Sequence, residues 1–248
     1  MKENKGNTLF EFVYLFSELI VIILFATCCK YGEGVHPNTM TNPLSVAAAG
    51  AAVSTYYPVF VDVHIMIFIG FGFLMVFLKS HSWASVGLNY VIAAYAVQVS
   101  ILTHFFWKQA FDKPTDEWEK IPLTIDALIV GDFGAGAVLI SFGALLGKVS
   151  ISQLWCIATL EGIFWGLNEA ICVHEYHAND MGGSMYVHTF GAYFGLAATY
   201  FFNRNAAIED KTKQCEGNYN SQLIAMVGTI FLWMLWPSFN GALAGPSQ

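Results

Sequence analysis

Apolar residues run through this chain in long stretches, interrupted by short polar punctuation rather than alternating with it. A helix needs about 20 mostly apolar residues to cross a bilayer, and seven stretches meet that length: 10–29, 58–78, 84–107, 122–146, 151–173, 182–202 and 223–243. Between them lie KYGEGVHPNTMTNPLS, KSHS, KQAFDKPTDEWEK, GKVS, HEYHAND and NRNAAIEDKTKQCEGNYNS. The pattern predicts an all-α fold, a polytopic membrane bundle of about seven helices forming one transmembrane domain over residues 1–248.

The first stretch starts basic and turns apolar, as a secretory signal does. Glu11 and Glu18 interrupt it, it ends in Cys-Cys-Lys, and no clean small-residue cleavage site follows. It therefore reads as a retained first span whose two carboxylates face other helices or the interface rather than lipid.

Composition agrees. The 248 residues are 56% hydrophobic and only 12% charged, against about 25% charged in soluble domains. The net charge of −7 comes with no basic patch, so nucleic acid is not an expected partner; membrane lipid is. The five cysteines have no Cys-x-x-Cys spacing and read as small packing residues, not as a disulfide or metal framework.

With the N-terminus in the cytoplasm, seven Lys and Arg residues (Lys2, Lys5, Lys79, Lys148, Arg204, Lys211, Lys213) lie inside and four (Lys30, Lys108, Lys113, Lys120) outside. This direction satisfies the positive-inside rule. It makes the acidic loop from Asp112 to Glu119 extracellular, where its field attracts cations. Glycines recur inside the spans, as in GAYFG at 191–195, a small-xxx-small pattern that lets helices approach closely.

Several residues are costly in hydrocarbon. On an α-helix His188 shares a face with Ser184, Ala192 and Gly195, so its imidazole is either an interhelical tie or a ligand facing a lumen. Asp180 stands at the start of the sixth stretch, before Gly182 and Gly183, where it caps the first helical turn or stabilises a cation at a mouth. His174, His177 and Asp180 step by three residues in HEYHAND, a weak metal-site pattern for which a solvated loop is the alternative. Asp62, His64 and His104 read as internal ties or hydration sites, and Asp132 has no partner evident in the sequence. Among 21 phenylalanines, Phe133 and Phe239 sit beside glycine or asparagine, a setting compatible with a narrow aromatic constriction.

VDVHIMIFIGFGFLMVFLK, LISFGALLGKVS, DMGGSMYVHTFGAYFG and MVGTIFLWMLWPSFN resemble, in order and spacing, blocks of the Rh glycoproteins in the ammonium transporter/Rh superfamily. The resemblance extends from the first span to Asn240. It implies a channel for ammonia or ammonium, without enzymatic activity, cofactor or metal, assembled as a homotrimer or mixed trimer and residing in the plasma membrane. Carbon dioxide is a further candidate solute. By the same resemblance Asp180 and Glu169 belong to the external approach, Phe133 and Phe239 form an aromatic gate, and His188 is the first of a pair of pore histidines. Family members have about a dozen spans in two inverted halves. A chain of seven is therefore expected to be truncated, with a non-conducting subunit or short isoform as the alternative. A seven-span receptor finds no supporting motif, and a membrane zinc hydrolase would rest on His174, His177 and Asp180 alone.

Overall fold

A computed structural model describes residues 3–32, 43–113, 115–202, 216–241 and 243–244. Lys2, Arg204, Lys211, Lys213 and Cys215 lie outside the described residues.

Helix α1 spans Glu3–Cys28 and leads into a three-residue strand β1, Cys29–Tyr31. Helix α2, Pro43–Ile65, passes through a π-turn at Met66–Gly70 and the short α3, Phe71–Leu74, before closing in a 3₁₀ turn at Met75–Phe77. Then come α4 (Ser82–Asp112), a 3₁₀ turn at Thr115–Glu117, β2 (Ile121–Leu123), α5 (Ile125–Leu145) and α6 (Ile151–His174). A second π-turn, Ser184–Thr189, runs directly into α7, Phe190–Phe202, and α8 covers Tyr219–Gly241.

The architecture is the expected helical bundle, with differences in detail. Among the described residues, six helices are long and apolar enough to cross a membrane; the stretch expected at 182–202 is divided by its π-turn, leaving 13 α-helical residues. At about 1.5 Å per residue, the 31 residues of α4 reach roughly 46 Å, beyond a hydrocarbon core of about 30 Å. A helix of that length projects beyond the apolar layer, and its C-terminal turns carry Lys108 and Asp112. The sequence pattern does not announce the two strands, which pair in parallel and join Cys29 to Ile121 and Tyr31 to Leu123. They tie the end of α1 to the segment entering α5.

Helix α5 is the centre. In it, 72% of the candidate span is buried, against 6% in α1 and 17% in α8. Its sequence explains why: IVGDFGAGAVLISFGAL presents small residues on several faces, so α2, α4, α6 and α7 all reach its surface. Thr124 caps its start by accepting from the Ala127 amide, and Ser150 opens α6 with a capping box closed by Gln153. Helix α7 approaches α5 to backbone distance, where a Cβ on Gly191 would press on the Ala137 carbonyl oxygen. Gly228 of α8 does the same against the backbone of Gly70 and Leu74, which seats α8 on the first π-turn.

Polar side chains complete the joins. Trp155 of α6 stacks on Tyr95 of α4 at 4.0 Å between centroids, Tyr14 of α1 meets the same indole edge-on at 4.9 Å, and the indole nitrogen donates to Ser17 at 2.8 Å. This cluster docks α1, whose Leu15, Phe16, Leu19, Ile22 and Ile23 otherwise remain exposed, as suits a lipid-facing helix. Glu18 is half-buried beside Tyr95, whereas Glu11 is exposed.

Gly191→Val should shift α7 off α5 and destabilise the bundle by roughly 1–3 kcal/mol or more. Thermal unfolding in detergent, beside Gly50→Ala at a position with open space around it, checks this. Equal melting temperatures for the two variants would refute the close approach.

Candidate functional site

The site begins at the segment between α6 and α7. Residues 175–183 form a turn rather than a helix, and His177 adopts φ 51°. The helical alignment of His174, His177 and Asp180 that a metal site would need is therefore broken. Among the described residues, these side chains do not gather into a group of three potential ligands. His174 pairs instead with Asp112 of α4, with Nδ1 and Oδ1 3.1 Å apart.

Asp180 is bound by its own chain. One carboxylate oxygen accepts from the Ser184 amide at 2.8 Å and from its hydroxyl at 2.6 Å. The other accepts from the Met185 amide at 2.7 Å and the Tyr186 amide at 3.2 Å. The Tyr186 hydroxyl returns to the Asp180 carbonyl at 2.6 Å. Gly183 makes the turn possible, since its φ of +66° is a left-handed conformation costly for other residues. With 6% of its surface exposed, Asp180 is a cap with no open carboxylate face. Burial pushes its carboxyl up, but the bonds from the Ser184 hydroxyl and the Met185, Tyr186 and Ser184 amides outweigh this and hold it below the usual carboxylate range.

This cap fixes the π-turn that carries His188. The His188 amide bonds to the Gly183 carbonyl five residues back, at 2.8 Å, instead of four. The wider turn changes the face expected from α-helical spacing: Ser184 and Ala192 are exposed, while His188 is half-buried. Its ring centroid lies 5.0 Å from that of Trp236 and 5.4 Å from that of Phe239, both on α8. Phe239 in turn stacks on Phe133 of α5 at 4.3 Å and 26°. Both phenylalanines are nearly inaccessible, at 7% and 3%. The structure thus brings Phe133, Phe239 and His188 together across α5, the π-turn and α8. The Nε2 atom of His188 is buried without a hydrogen-bond partner.

Glu169 stands apart from this cluster, near the projecting end of α4. Its Oε2 lies 2.6 Å from Nδ1 of His104, and the two side chains face a cavity of about 160 Å³ also lined by Lys108, Gly166 and His174. The acidic character expected of the neighbouring loop is partly spent: Asp112 engages His174, and Glu119 lies 2.7 Å from Lys113 in an exposed pair.

The remaining intramembrane groups are ties. His64 lies 3.1 Å from both oxygens of Asp132, supplying the partner that sequence alone does not reveal, and Ser238 donates to Asp62 at 2.6 Å. His64 continues into an aromatic row with Phe60, Phe68 and Tyr90. Two residues of consequence have no role in the sequence reading. Trp236 is three positions before Phe239, a helical spacing that puts both on one face. Glu161 is fully buried, and its signal is a carboxylate in the middle of the apolar run of α6.

Asp180→Ala should lower stability by on the order of 1–3 kcal/mol, because it removes a helix cap and orphans several donors. Since the folded carboxyl titrates below its unfolded counterpart, ionised Asp180 contributes fully above the ordinary carboxylate range and loses that contribution as pH falls through the folded value. Melting curves of wild type and Asp180→Asn between pH 7 and strongly acidic pH should therefore converge on acidification. A constant gap between them would contradict the cap's role.

Residues 23–248 match the family model described as Ammonium Transporter Family. The chain is similar to Ammonium transporter Rh type B-A of Xenopus laevis, 46% identical over 235 residues, which is 92% of this chain and 49% of that protein. It is also similar to Ammonium transporter Rh type C of Xenopus tropicalis, 40% identical over 92% of this chain and 48% of that protein. Among solved structures, Nitrosomonas europaea Rh50, described with the conduction mechanism of the Rhesus protein family of channels, superposes with a TM-score of 0.67 at 26% identity, covering 80% of this chain and 51% of that one. The chain spans about half the length of the curated relatives it matches. A match over nearly all its residues, carried on a fold shared with an Rh channel, makes this chain a member of the Ammonium Transporter Family.

Proposed function

We propose that this chain contributes the first half of an Rh-type channel that moves ammonia across a membrane, with ammonium as the recruited species. The reading rests on one observation above the others: the buried, unpartnered Nε2 of His188, held beneath the Phe133 and Phe239 stack. An orphaned imidazole nitrogen in an apolar bundle costs free energy unless a polar visitor completes it.

The chemistry follows from the solute. A bare ammonium ion costs several kcal/mol or more in a dry lumen, whereas neutral ammonia is small and uncharged. Ammonium is drawn to the acidic approach, where Glu169 and His104 share a cavity. It passes its proton to water at that approach, since two packed phenylalanines offer a cation no replacement for its hydration. Ammonia passes the aromatic pair when the rings part. It then reaches Nε2 of His188, to which it donates or from which it accepts a hydrogen bond according to the tautomer. Asp180 acts indirectly, holding the turn on which His188 stands.

The channel is proposed to be an integral plasma-membrane protein with a cytoplasmic N-terminus, assembled as a trimer and without enzymatic activity. Carbon dioxide, also neutral and small, is compatible with the same path. A second reading is a silent structural subunit. It is favoured by the apolar surface of α7 and α8, where Phe201 is 80% exposed, Tyr193 72% and Trp233 77%, an area suited to another membrane segment as well as to lipid.

Proteoliposomes containing the 248-residue chain, exposed to an inward ammonia gradient, should alkalinise faster than empty vesicles, and His188→Ala should remove the excess rate. A folded chain no faster than empty vesicles would support the silent subunit. A fast rate that survives His188→Ala would exclude the imidazole as the ligand.

A further inference from the structure

Glu161 of α6 is completely buried. Its Oε1 lies 2.5 Å from the Ser141 hydroxyl of α5, and the same hydroxyl lies 2.8 Å from the Gly191 carbonyl oxygen at the start of α7. A serine hydroxyl has one proton to donate, a carbonyl oxygen only accepts, and an ionised carboxylate only accepts. Between two such acceptors, one contact would be left as a buried oxygen–oxygen approach without a proton. Both become hydrogen bonds only if Glu161 itself carries a proton and donates it to Ser141, which then donates to Gly191.

The surroundings agree with a neutral acid. Among the described residues no cation forms an ion pair with Glu161, because the ion pairs present engage His64, His104, Lys113 and His174. Several titratable groups on the elements packed against α6 make their contacts elsewhere. Glu18 of α1 stands beside Tyr95, His104 of α4 is held by Glu169, and Asp132 of α5 by His64; His188 lies against Trp236 and Phe239. The second oxygen, Oε2, is buried with no partner. That is far less costly for the carbonyl of a neutral acid than for half of a carboxylate.

We infer that Glu161 is a permanently protonated carboxylic acid that donates through the Ser141 hydroxyl to the Gly191 carbonyl, locking α6 and α5 to the base of α7, just beyond the π-turn that carries His188. Gly191 lies three residues after His188, where the π-turn has just reverted to α-helix. Glu161 is thus a positioning residue that never meets the solute. The inference does not depend on whether the chain conducts ammonia.

The test is spectroscopic. An infrared difference spectrum between wild type and Glu161→Gln, in lipid at neutral and mildly alkaline pH, should contain the carbonyl stretch of a hydrogen-bonded protonated carboxyl present only in wild type. Loss of a carboxylate pair of bands instead would overturn the proposal. Glu161→Gln keeps a neutral donor and should retain the wild-type melting temperature, whereas Glu161→Ala should not; equal losses in both would also count against the relay. If Glu161→Gln fails to fold, Ser141→Ala keeps the acid in place. It should move the band to the higher frequency of a carboxyl without its acceptor, and an unmoved band would refute the link.

Discussion

Helices in this bundle are held by how closely their backbones approach the central one. In lipid, apolar side chains gain little from meeting each other, so association depends on packing contact and on hydrogen bonds that water cannot compete for. Helix α5 meets both needs. Its glycines and alanines let α4 and α7 come in to backbone distance, with Gly191 resting on the Ala137 carbonyl, and its few polar groups, Asp132 and Ser141, reach outward to His64 and Glu161. A bulkier α5 would push apart the neighbours whose contacts define the candidate site.

Closeness of that kind has an electrostatic side. A helix buried on several faces cannot leave carboxylates unattended, and the structure gives four of the intramembrane acids an imidazole or a hydroxyl partner. Asp132 has an imidazole, Asp62 a serine hydroxyl, Glu169 a second imidazole near the helix ends, and Glu161 a serine that also serves a backbone carbonyl. Asp180, outside the spans, is surrounded by amide donors. Among the described residues, His188 Nε2 is one of the buried polar atoms left over, and its ring lies beside the aromatic stack.

The number and order of helices could be read from the sequence because hydrocarbon imposes a length on each span that composition records directly. Helix ends were less legible: α4 continues past Trp107 to Asp112, since nothing in its sequence marks where the apolar layer stops and the helix does not. His188 stands out in the sequence as an imidazole inside an apolar stretch, whereas Phe133 and Phe239 are chosen through family resemblance; physics alone offers no means to choose two phenylalanines among 21. Partnerships such as His64 with Asp132, 68 positions apart, require the fold. The face of His188 was misjudged because α-helical spacing was assumed across a segment that makes one turn at a wider pitch. The short strands escaped notice because three residues carry no periodicity to detect.

That wider turn has a consequence for how the chain tolerates insertion and deletion. A π-turn holds one residue more than the α-turn it replaces, so the residues beyond it are advanced by about 100° around the helix axis. Upstream, the phase of the segment is set by the Asp180 cap; downstream, it is set by Gly191 and Gly195 lying against α5. The turn between them acts as a phase adapter, reconciling two registers that no uninterrupted α-helix could satisfy together. Loss of a single residue there could be absorbed as a regular turn, but only by rotating the glycine stripe off α5 or pulling the imidazole from beneath its phenylalanines. A one-residue gap in this segment therefore carries more structural meaning than most substitutions around it.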